Sequence, residues 1–288
     1  MNKLGKISVG NGNPIRIMGI LNTSPESFYK SSICISKNEI SNLVKKMEYD
    51  GADFVDVGGM STAPYNSTSI SEKLETKRIV NAIKIIQNST NLPISIDTCR
   101  ASVAENALKL GVEIINDVSG LKYDKKMIEV IRKYQPSLVL CAYSERITNK
   151  NHLKKTKRLL EDSIKIAKSV GVSRKNIVID PAIGFFRRDG KGFPFTKIDF
   201  DWFRRDKQIL ENLKFFKFGQ PCMISVSNKS IIGRILHNTD SSKRMNGSLD
   251  LEMFSVINGA DLIRTHNVKG SREVVSIAKK IRHGRKGL

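Results

Sequence analysis

The stretch Pro93–Leu121, PISIDTCRASVAENALKLGVEIINDVSGL, carries the decision about the fold. Pro93–Ile96 is a short apolar run, and Asp97 ends it. Val103, Ala107 and Leu110 recur at helical spacing within Ser102–Leu110, and Gly111 stops the helix. Glu113–Ile115 is a second apolar run that ends in Asn116-Asp117. A strand, a helix and a strand this close together predict a βαβ unit with parallel, adjacent strands. Asp97 and Asn116 then leave neighbouring strands at one carboxyl-end face, where α/β folds keep their ligand sites. A carboxylate beside an amide offers both acceptors and donors to a flat heterocycle.

The same alternation extends in both directions. Arg16–Leu21, Phe54–Val57, Ser137–Cys141, Ile177–Ile179, Cys222–Val226 and Leu262–Ile263 read as further buried strands. Asn38–Tyr49, Ser71–Gln87, Lys125–Lys133, His152–Val170, Asp201–Leu213, Leu249–Asn258 and Ser271–Arg282 read as helices between and after them. Three segments repeat one shape: Gly51-Ala52-Asp53-Phe54-Val55, Gly111-Val112-Glu113-Ile114-Ile115 and Gly259-Ala260-Asp261-Leu262-Ile263. In each, a glycine ends a helix, an acid turns the chain and an apolar strand begins. Eight strands alternating with helices in 288 residues predict a single-domain α/β protein, a (β/α)8 TIM barrel. An open doubly wound sheet is the alternative, and no Gly-x-Gly-x-x-Gly follows the first strand to support dinucleotide binding. The expected boundaries are an N-terminal extension over residues 1–14, the barrel over 15–282 and a basic tail over 283–288.

Composition narrows the class. With 40% hydrophobic and 27% charged residues the chain is globular. No stretch approaches the ~20 apolar residues of a membrane span, and the N-terminus lacks the apolar core of a signal peptide. Cys34, Cys99, Cys141 and Cys222 stand apart and form no Cys-x-x-Cys pair, so they read as reduced thiols of a cytoplasmic protein. The formal charge is +21, from 49 Lys+Arg against 28 Asp+Glu. The basic residues are spread along the chain, and only Lys279–Lys286 is dense. The surplus therefore reads as a solvated lysine-rich surface rather than a nucleic-acid face.

The barrel gathers its strand ends on one rim: Asn22, Thr62, Asp97, Asn116, Asp180, Lys229, Arg264 and His266. A single polar residue at a strand end is often only a cap, but eight around one mouth make a site. Asp97, Asn116, Asp180 and Lys229 supply acceptors, donors and a charge for a polar ring system. Asn22, Thr62, Arg264 and His266 suit phosphate oxygens, with arginine as the planar clamp. Asn22 also has a carbonyl to offer Mg2+, which takes few protein oxygens beside phosphates and water.

These residues carry a resemblance. Met18–Phe28 resembles the first signature of the dihydropteroate synthase family and Gly51–Thr62 the second. Ser95–Thr98, Ile114–Gly120, Asp180–Phe185, Ser227–Ser230 and Ile263–Lys269 resemble its further motifs in the family's order. The resemblance implies a TIM barrel that joins a hydroxymethyl-dihydropterin diphosphate to p-aminobenzoate and releases pyrophosphate with Mg2+. It implies that Asp97, Asn116, Asp180 and Lys229 hold the pterin, and that Asn22 meets Mg2+ and diphosphate. Thr62, Arg264 and His266 bind the diphosphate by the same carry-over, and Phe185 and Ser227 lie near the arylamine. Asn22, Asp97, Lys229, Arg264 and His266 are the implied catalytic set. Loops Asn22–Ile33 and Gly58–Ser69 would close over the second substrate, and a homodimer through outer helices would match the family.

The chain also departs from the pattern. Tyr29-Lys30-Ser31-Ser32 stand where the family has Ser-Asp-Gly-Gly, and Glu26 where it prefers Asp. Met60 and Ala63 replace a Glu and an Arg, Asn228 replaces an Arg, and Cys141-Ala142-Tyr143 replace Met-His-Met. The losses fall on the aminobenzoate side, so a related arylamine is an alternative second substrate, for instance a ribofuranosyl-aminobenzene phosphate for a methanopterin-type cofactor. Arg187, Arg188 and Lys30 are the candidate replacement cations. Two other classes are a pterin-dependent methyltransferase and a non-catalytic basic binding protein. Trp202, Phe215, Phe216 and Phe218 read as outer-layer packing, one of Phe185 and Phe186 as core, Lys269 as a helix start, and His152, His237 and His283 as surface.

Overall fold

β1 (Arg16–Asn22), β2 (Phe54–Gly58), β3 (Ile94–Asp97) and β4 (Ile114–Asp117) pair in parallel and in chain order. β5 (Ser137–Cys141), β6 (Ile177–Asp180), β7 (Met223–Ile224) and β8 (Leu262–Thr265) complete an eight-stranded parallel sheet in which β8 returns to lie against β1. The seam between β6 and β7 is closed by one parallel bridge, Ile179 to Cys222, where the Ile179 amide donates to the Pro221 carbonyl at 2.9 Å. The expected TIM barrel is thus the observed architecture. The computed structural model describes residues 1–24, 36–61, 69–148, 151–190, 194–238 and 240–284.

Six strands run one or two residues further than an apolar run alone indicates, because Asn22, Gly58, Asp97, Asn116-Asp117, Asp180 and Arg264-Thr265 keep the ladder; β5 has the expected range, and β7 is shorter than the expected Cys222–Val226. Helices α1 (Lys37–Tyr49), α2 (Glu72–Gln87), α3 (Ala101–Lys109), α4 (Met127–Tyr134), α5 (His152–Ser169) and α6 (Trp202–Glu211) follow β1 to β6 in turn. α7 (Ser230–Ile235) and α8 (Met245–Asn258) both follow β7, and α9 (Val268–Gly284) follows β8. Ser36 and Glu39 form a reciprocal capping box at the start of α1, and Ser71 caps α2. In two of the three repeated segments the acid has the same task, while Glu113 of the remaining one pairs with Lys6 at 3.1 Å. Asp53 accepts the Ile17 amide at 2.8 Å, and Asp261 accepts the Cys222 amide at 3.0 Å, so each ties its own strand's entry to that of a neighbour.

Two apolar layers hold the barrel. The larger lies between strands and helices. The smaller fills the lower barrel with Met18, Phe54, Ile114, Val139, Val178, Met223 and Leu262, joined by Leu4 and Val9. Leu4 belongs to an antiparallel hairpin, Lys3–Leu4 with Ile7–Ser8, that seals the amino-end opening, and Val9 directly follows it, its amide donating to the Asn2 carbonyl at 3.0 Å.

One expectation is corrected. His152 is buried rather than on the surface: its ring packs 4.2 Å from that of Phe200, and burial beside Arg205 lowers its pKa. Its lysine-rich neighbours on α5 face outward and hide this from a local reading. His237 is exposed, while the side chain of His283 lies outside the described residues. Phe216 is fully buried, Trp202 and Phe218 are half-buried, and the Phe215 edge is exposed beneath Lys157. Lys269 lies in the first turn of α9.

Candidate active site

Side chains of a strand alternate between the two sheet faces, so the inward residues of this barrel are read two by two. Above the apolar layer, Phe54 is followed by Asp56, Ser95 by Asp97, Ile114 by Asn116, Val178 by Asp180 and Leu262 by Arg264. Strand register brings Asn22 beside Gly58, Gly58 beside Asp97, and Asp97 beside Asn116 at one level. The carboxyl-end half of the barrel is therefore polar.

Arg264 stands at its centre. Its Nε donates to Asp56 Oδ2 at 2.6 Å, and its Nη2 donates to Asp97 Oδ2 at 2.7 Å. Asn116 Nδ2 donates to the same Asp56 oxygen at 3.0 Å. Asp56 is fully buried and joins three strands in one network. A desolvated arginine paired with two carboxylates is strongly held, and removing one partner of such a pair typically costs about 3–5 kcal/mol. The pairing keeps the Arg264 pKa above its ordinary value despite burial. Burial pushes Asp97 up to about 7 against the pull of Arg264, with Asp56 adding to the rise.

The second oxygens of this network point to a ligand. Asp56 Oδ1, Asp97 Oδ1 and Asn116 Oδ1 are buried and accept no hydrogen bond from the protein. Orphaned acceptors are costly in a folded protein. Three of them on adjacent strands match a flat ring that presents N–H donors along one edge.

Lys229 and Asp180 face this network from the other side. The Lys229 ammonium lies 4.2 Å from the centre of the Phe185 ring. Burial, with the Arg264 charge nearby, lowers its pKa to about 8. Gly184 makes room for its stem, since a Cβ there would come within 3.0 Å of Lys229 Cδ. Asp180 accepts the Ala182 amide at 2.6 Å, and burial raises its pKa. Ser227 Oγ lies 2.9 Å from His266 Nδ1. Burial and the charges of Arg264 and Lys229 depress His266 to about 3, so its imidazole is neutral at ordinary pH.

Most of the sequence-derived set therefore converges. Asp97, Asn116, Asp180, Lys229, Arg264 and His266 surround one mouth, Ser227 and Phe185 line it, and Asn22 stands level with Asp97 through Gly58. Arg264 is ion-paired with Asp56 and Asp97 in that mouth. Thr62 lies outside the described residues, as do Glu26, Lys30 and Ala63 and most of the two loops expected to close over the second substrate. Of Phe185 and Phe186, Phe186 is core and Phe185 half-buried. Asp56 escaped the sequence reading, which looked only at strand ends. Its signal was a carboxylate inside the apolar strand FVDV, on the same face as Phe54.

The replaced and candidate cations can also be placed. Asn228 is buried with φ +57; its backbone amide donates to Ser248 Oγ and its backbone carbonyl accepts from Arg244, while its side-chain Nδ2 has no hydrogen-bond partner among the described residues. Arg187 donates to Ser230 Oγ at 2.5 Å, stacks 4.1 Å from the Trp202 ring and lies 3.6 Å from Asp206. Arg188 is exposed.

The donor set at the rim suits a sparsely ligated magnesium ion. Among the described residues, no three His, Cys, Asp or Glu side chains surround a common point. Asn22 brings one hard amide oxygen to the rim, and the bare Gly58 leaves space beside it, a Cβ there lying 3.4 Å away. One protein oxygen fits an ion that keeps its waters and is held mainly by substrate phosphates.

Comparison with known proteins agrees with this geometry. A family model described as "Pterin binding enzyme" matches residues 18–266. The chain is 35% identical over 268 residues to a dihydropteroate synthase of Clostridium beijerinckii, covering 92% of this chain and 94% of that protein. It superposes on a dihydropteroate synthase of Coxiella burnetii, solved in complex with pteroic acid, with a TM-score of 0.81, 30% identity and coverage of 93% and 94%. A Clostridium difficile dihydropteroate synthase solved in the presence of pteroic acid gives a TM-score of 0.80 at 33% identity, covering 98% and 99%.

Proposed function

We propose, from the premise that this chain belongs to the pterin-binding enzyme family and is a dihydropteroate synthase-like transferase of folate biosynthesis, that its mouth binds 6-hydroxymethyl-7,8-dihydropterin diphosphate and transfers the pterinylmethyl group to an arylamine. The observation that carries this reading is the trio of orphaned acceptors on Asp56, Asp97 and Asn116. A pterin presents an exocyclic amine and a ring N–H on one edge, and these donors fill such a set.

Asp97, Asn116, Asp180 and Lys229 orient the ring, with Asp56 holding Asn116 and Arg264 in place. The bond between the methylene carbon and the diphosphate oxygen breaks, and its electron pair leaves with the diphosphate. Positive charge developing on the pterinylmethyl group faces the carboxylates of Asp97 and Asp180. The arylamine nitrogen gives its lone pair to the methylene carbon, and the proton it then loses goes to the departing diphosphate. An arylamine is already nucleophilic, so no strong base is needed. Lys229 and Arg264 provide the cationic side of the mouth for the anion, and neutral His266 with Ser227 provides hydrogen bonds. Asn22 would contact a bound Mg2+, which would neutralise charge on the diphosphate as it leaves.

The arylamine is p-aminobenzoate or a relative. Arg187 is committed to Ser230 and Asp206, and asparagine at 228 carries no charge, which favours a second substrate whose anionic group differs from a bare benzoate. Phe254 and Ile257 on α8 and Ile277 and Ile281 on α9 expose apolar side chains, which supports a homodimer through these helices. No described helix is long and apolar enough to cross a membrane; we place the protein in the cytoplasm with its small-molecule substrates.

The test is pyrophosphate release from the pterin diphosphate with each arylamine supplied separately. Release should require an arylamine, and the best one identifies the partner. Release that ignores the arylamine would remove the synthase reading.

A further inference from the structure

The turn that leaves β6 is gripped from behind by two adjacent residues of α6. Arg205 is fully buried, and its guanidinium lies 3.7 Å from the centre of the Phe186 ring. It donates to the carbonyls of Pro181 at 2.5 Å and Ala182 at 3.0 Å, to Asp206 Oδ1 at 2.8 Å and to Thr156 Oγ1 at 3.2 Å. Asp206, also fully buried, accepts the Gly184 amide at 3.0 Å through its other oxygen. Both carbonyls and the amide belong to the segment Pro181–Gly184, so one arginine–aspartate pair defines its path.

That path is strained. Ala182 has φ +63, in the left-handed region that a residue with a Cβ disfavours. The strain has a geometric result. With Ala182 turned this way, its amide meets Asp180 Oδ1 at 2.6 Å and fixes the plane of that carboxylate. Two residues on, Gly184 and Phe185 cradle the stem and ammonium of Lys229. Arg205 and Asp206 sit behind the turn and do not reach the mouth.

We propose that Arg205 and Asp206 are positioning residues for pterin recognition: they hold Ala182 in its left-handed conformation and thereby aim Asp180 and seat Lys229. The inference rests on the pterin reading of the mouth and deepens it. It separates this pair from an ordinary buried ion pair, because its effect runs through the backbone of one residue. Glycine adopts φ > 0 without the Cβ penalty, so Ala182→Gly should relieve the need for the clamp.

The experiment measures pterin diphosphate affinity, without arylamine, and thermal melting for the full chain and for Arg205→Lys, Ala182→Gly and the double variant. Arg205→Lys keeps the charge but loses the planar fork, and affinity should fall by roughly tenfold or more, a change of 1.4 kcal/mol or more. Ala182→Gly alone should keep affinity within about twofold of wild type, since the backbone amide that meets Asp180 is retained and glycine adopts φ > 0 freely. The double variant should recover most of the lost affinity while its melting temperature stays low. Unchanged affinity in Arg205→Lys overturns the proposal. So does a double variant that binds no better than Arg205→Lys, or recovery of affinity only in step with melting. Should Arg205→Lys fail to fold, Asp206→Asn takes its place, and the same rescue by Ala182→Gly is required. A wild-type protein that binds no pterin diphosphate defeats the functional reading, and this inference with it. Wild-type binding alongside unchanged Arg205→Lys binding defeats this inference alone.

Discussion

At Asp56 one carboxylate oxygen serves two donors on different strands, Arg264 and Asn116. Asp56→Asn keeps the shape but removes the charge that anchors the guanidinium. KM for the pterin diphosphate should rise by roughly tenfold or more, the scale of a lost charged hydrogen bond, with KM for the arylamine little changed; equal rises in both would mean general damage. Glu252 offers a separate test of electrostatics. It is buried between α8 and α9, accepts from Ser271 Oγ at 2.5 Å, and burial raises its pKa to about 7. The folded state therefore keeps a proton that the unfolded chain has released. The stability this contributes is complete below the unfolded pKa of 4.5 and is lost as pH rises through about 7. Glu252→Gln carries no such charge, so its stability relative to wild type should grow by up to about 3 kcal/mol between pH 5 and 8. Parallel melting curves across that range would refute it. At this scale the sequence was legible where a polar residue ended an apolar run, as at Asp97 and Asp180. It was silent on Asp56 and His152, because burial of a polar side chain depends on what distant strands and helices bring to it.

Among the elements, the amino-terminal hairpin and α7 were invisible in the sequence for one reason. Two-residue strands and a six-residue helix are too short to show a period. The eight barrel strands were legible because each is a short buried apolar run, and three of them open on a glycine-acid turn. The hairpin nevertheless contributes to the core. Leu4 is fully buried under the lower barrel layer. Leu4→Ala should lower unfolding free energy by about 2–5 kcal/mol while leaving substrate KM values unchanged, since the mouth is at the opposite end. A denaturant titration decides it; a loss below about 0.5 kcal/mol, typical of a surface change, would mean the hairpin merely rests on the barrel.

At the scale of the whole molecule, Asp97, Asn116, Asp180 and Arg264 were accessible from sequence because they sit on the strands themselves, whose spacing the chain displays. Where Arg187 turns depends on contacts with Ser230, Trp202 and Asp206, which no local pattern reveals. The apolar residues exposed on α8 and α9 lead to one expectation at this scale: sedimentation should return the mass of two chains, and a monomer at micromolar concentration would exclude that surface as a stable interface.

The single bridge between Ile179 and Cys222 has its own consequence. A cylinder zipped by one rung at one seam can breathe there more easily than elsewhere, and Asp180 and Lys229 stand on its two sides. A ligand that touches both would staple the gap from within. Hydrogen exchange of the Ile179 amide should therefore be faster than that of Val139 or Val55 in the empty protein, and should slow most when the pterin diphosphate is added.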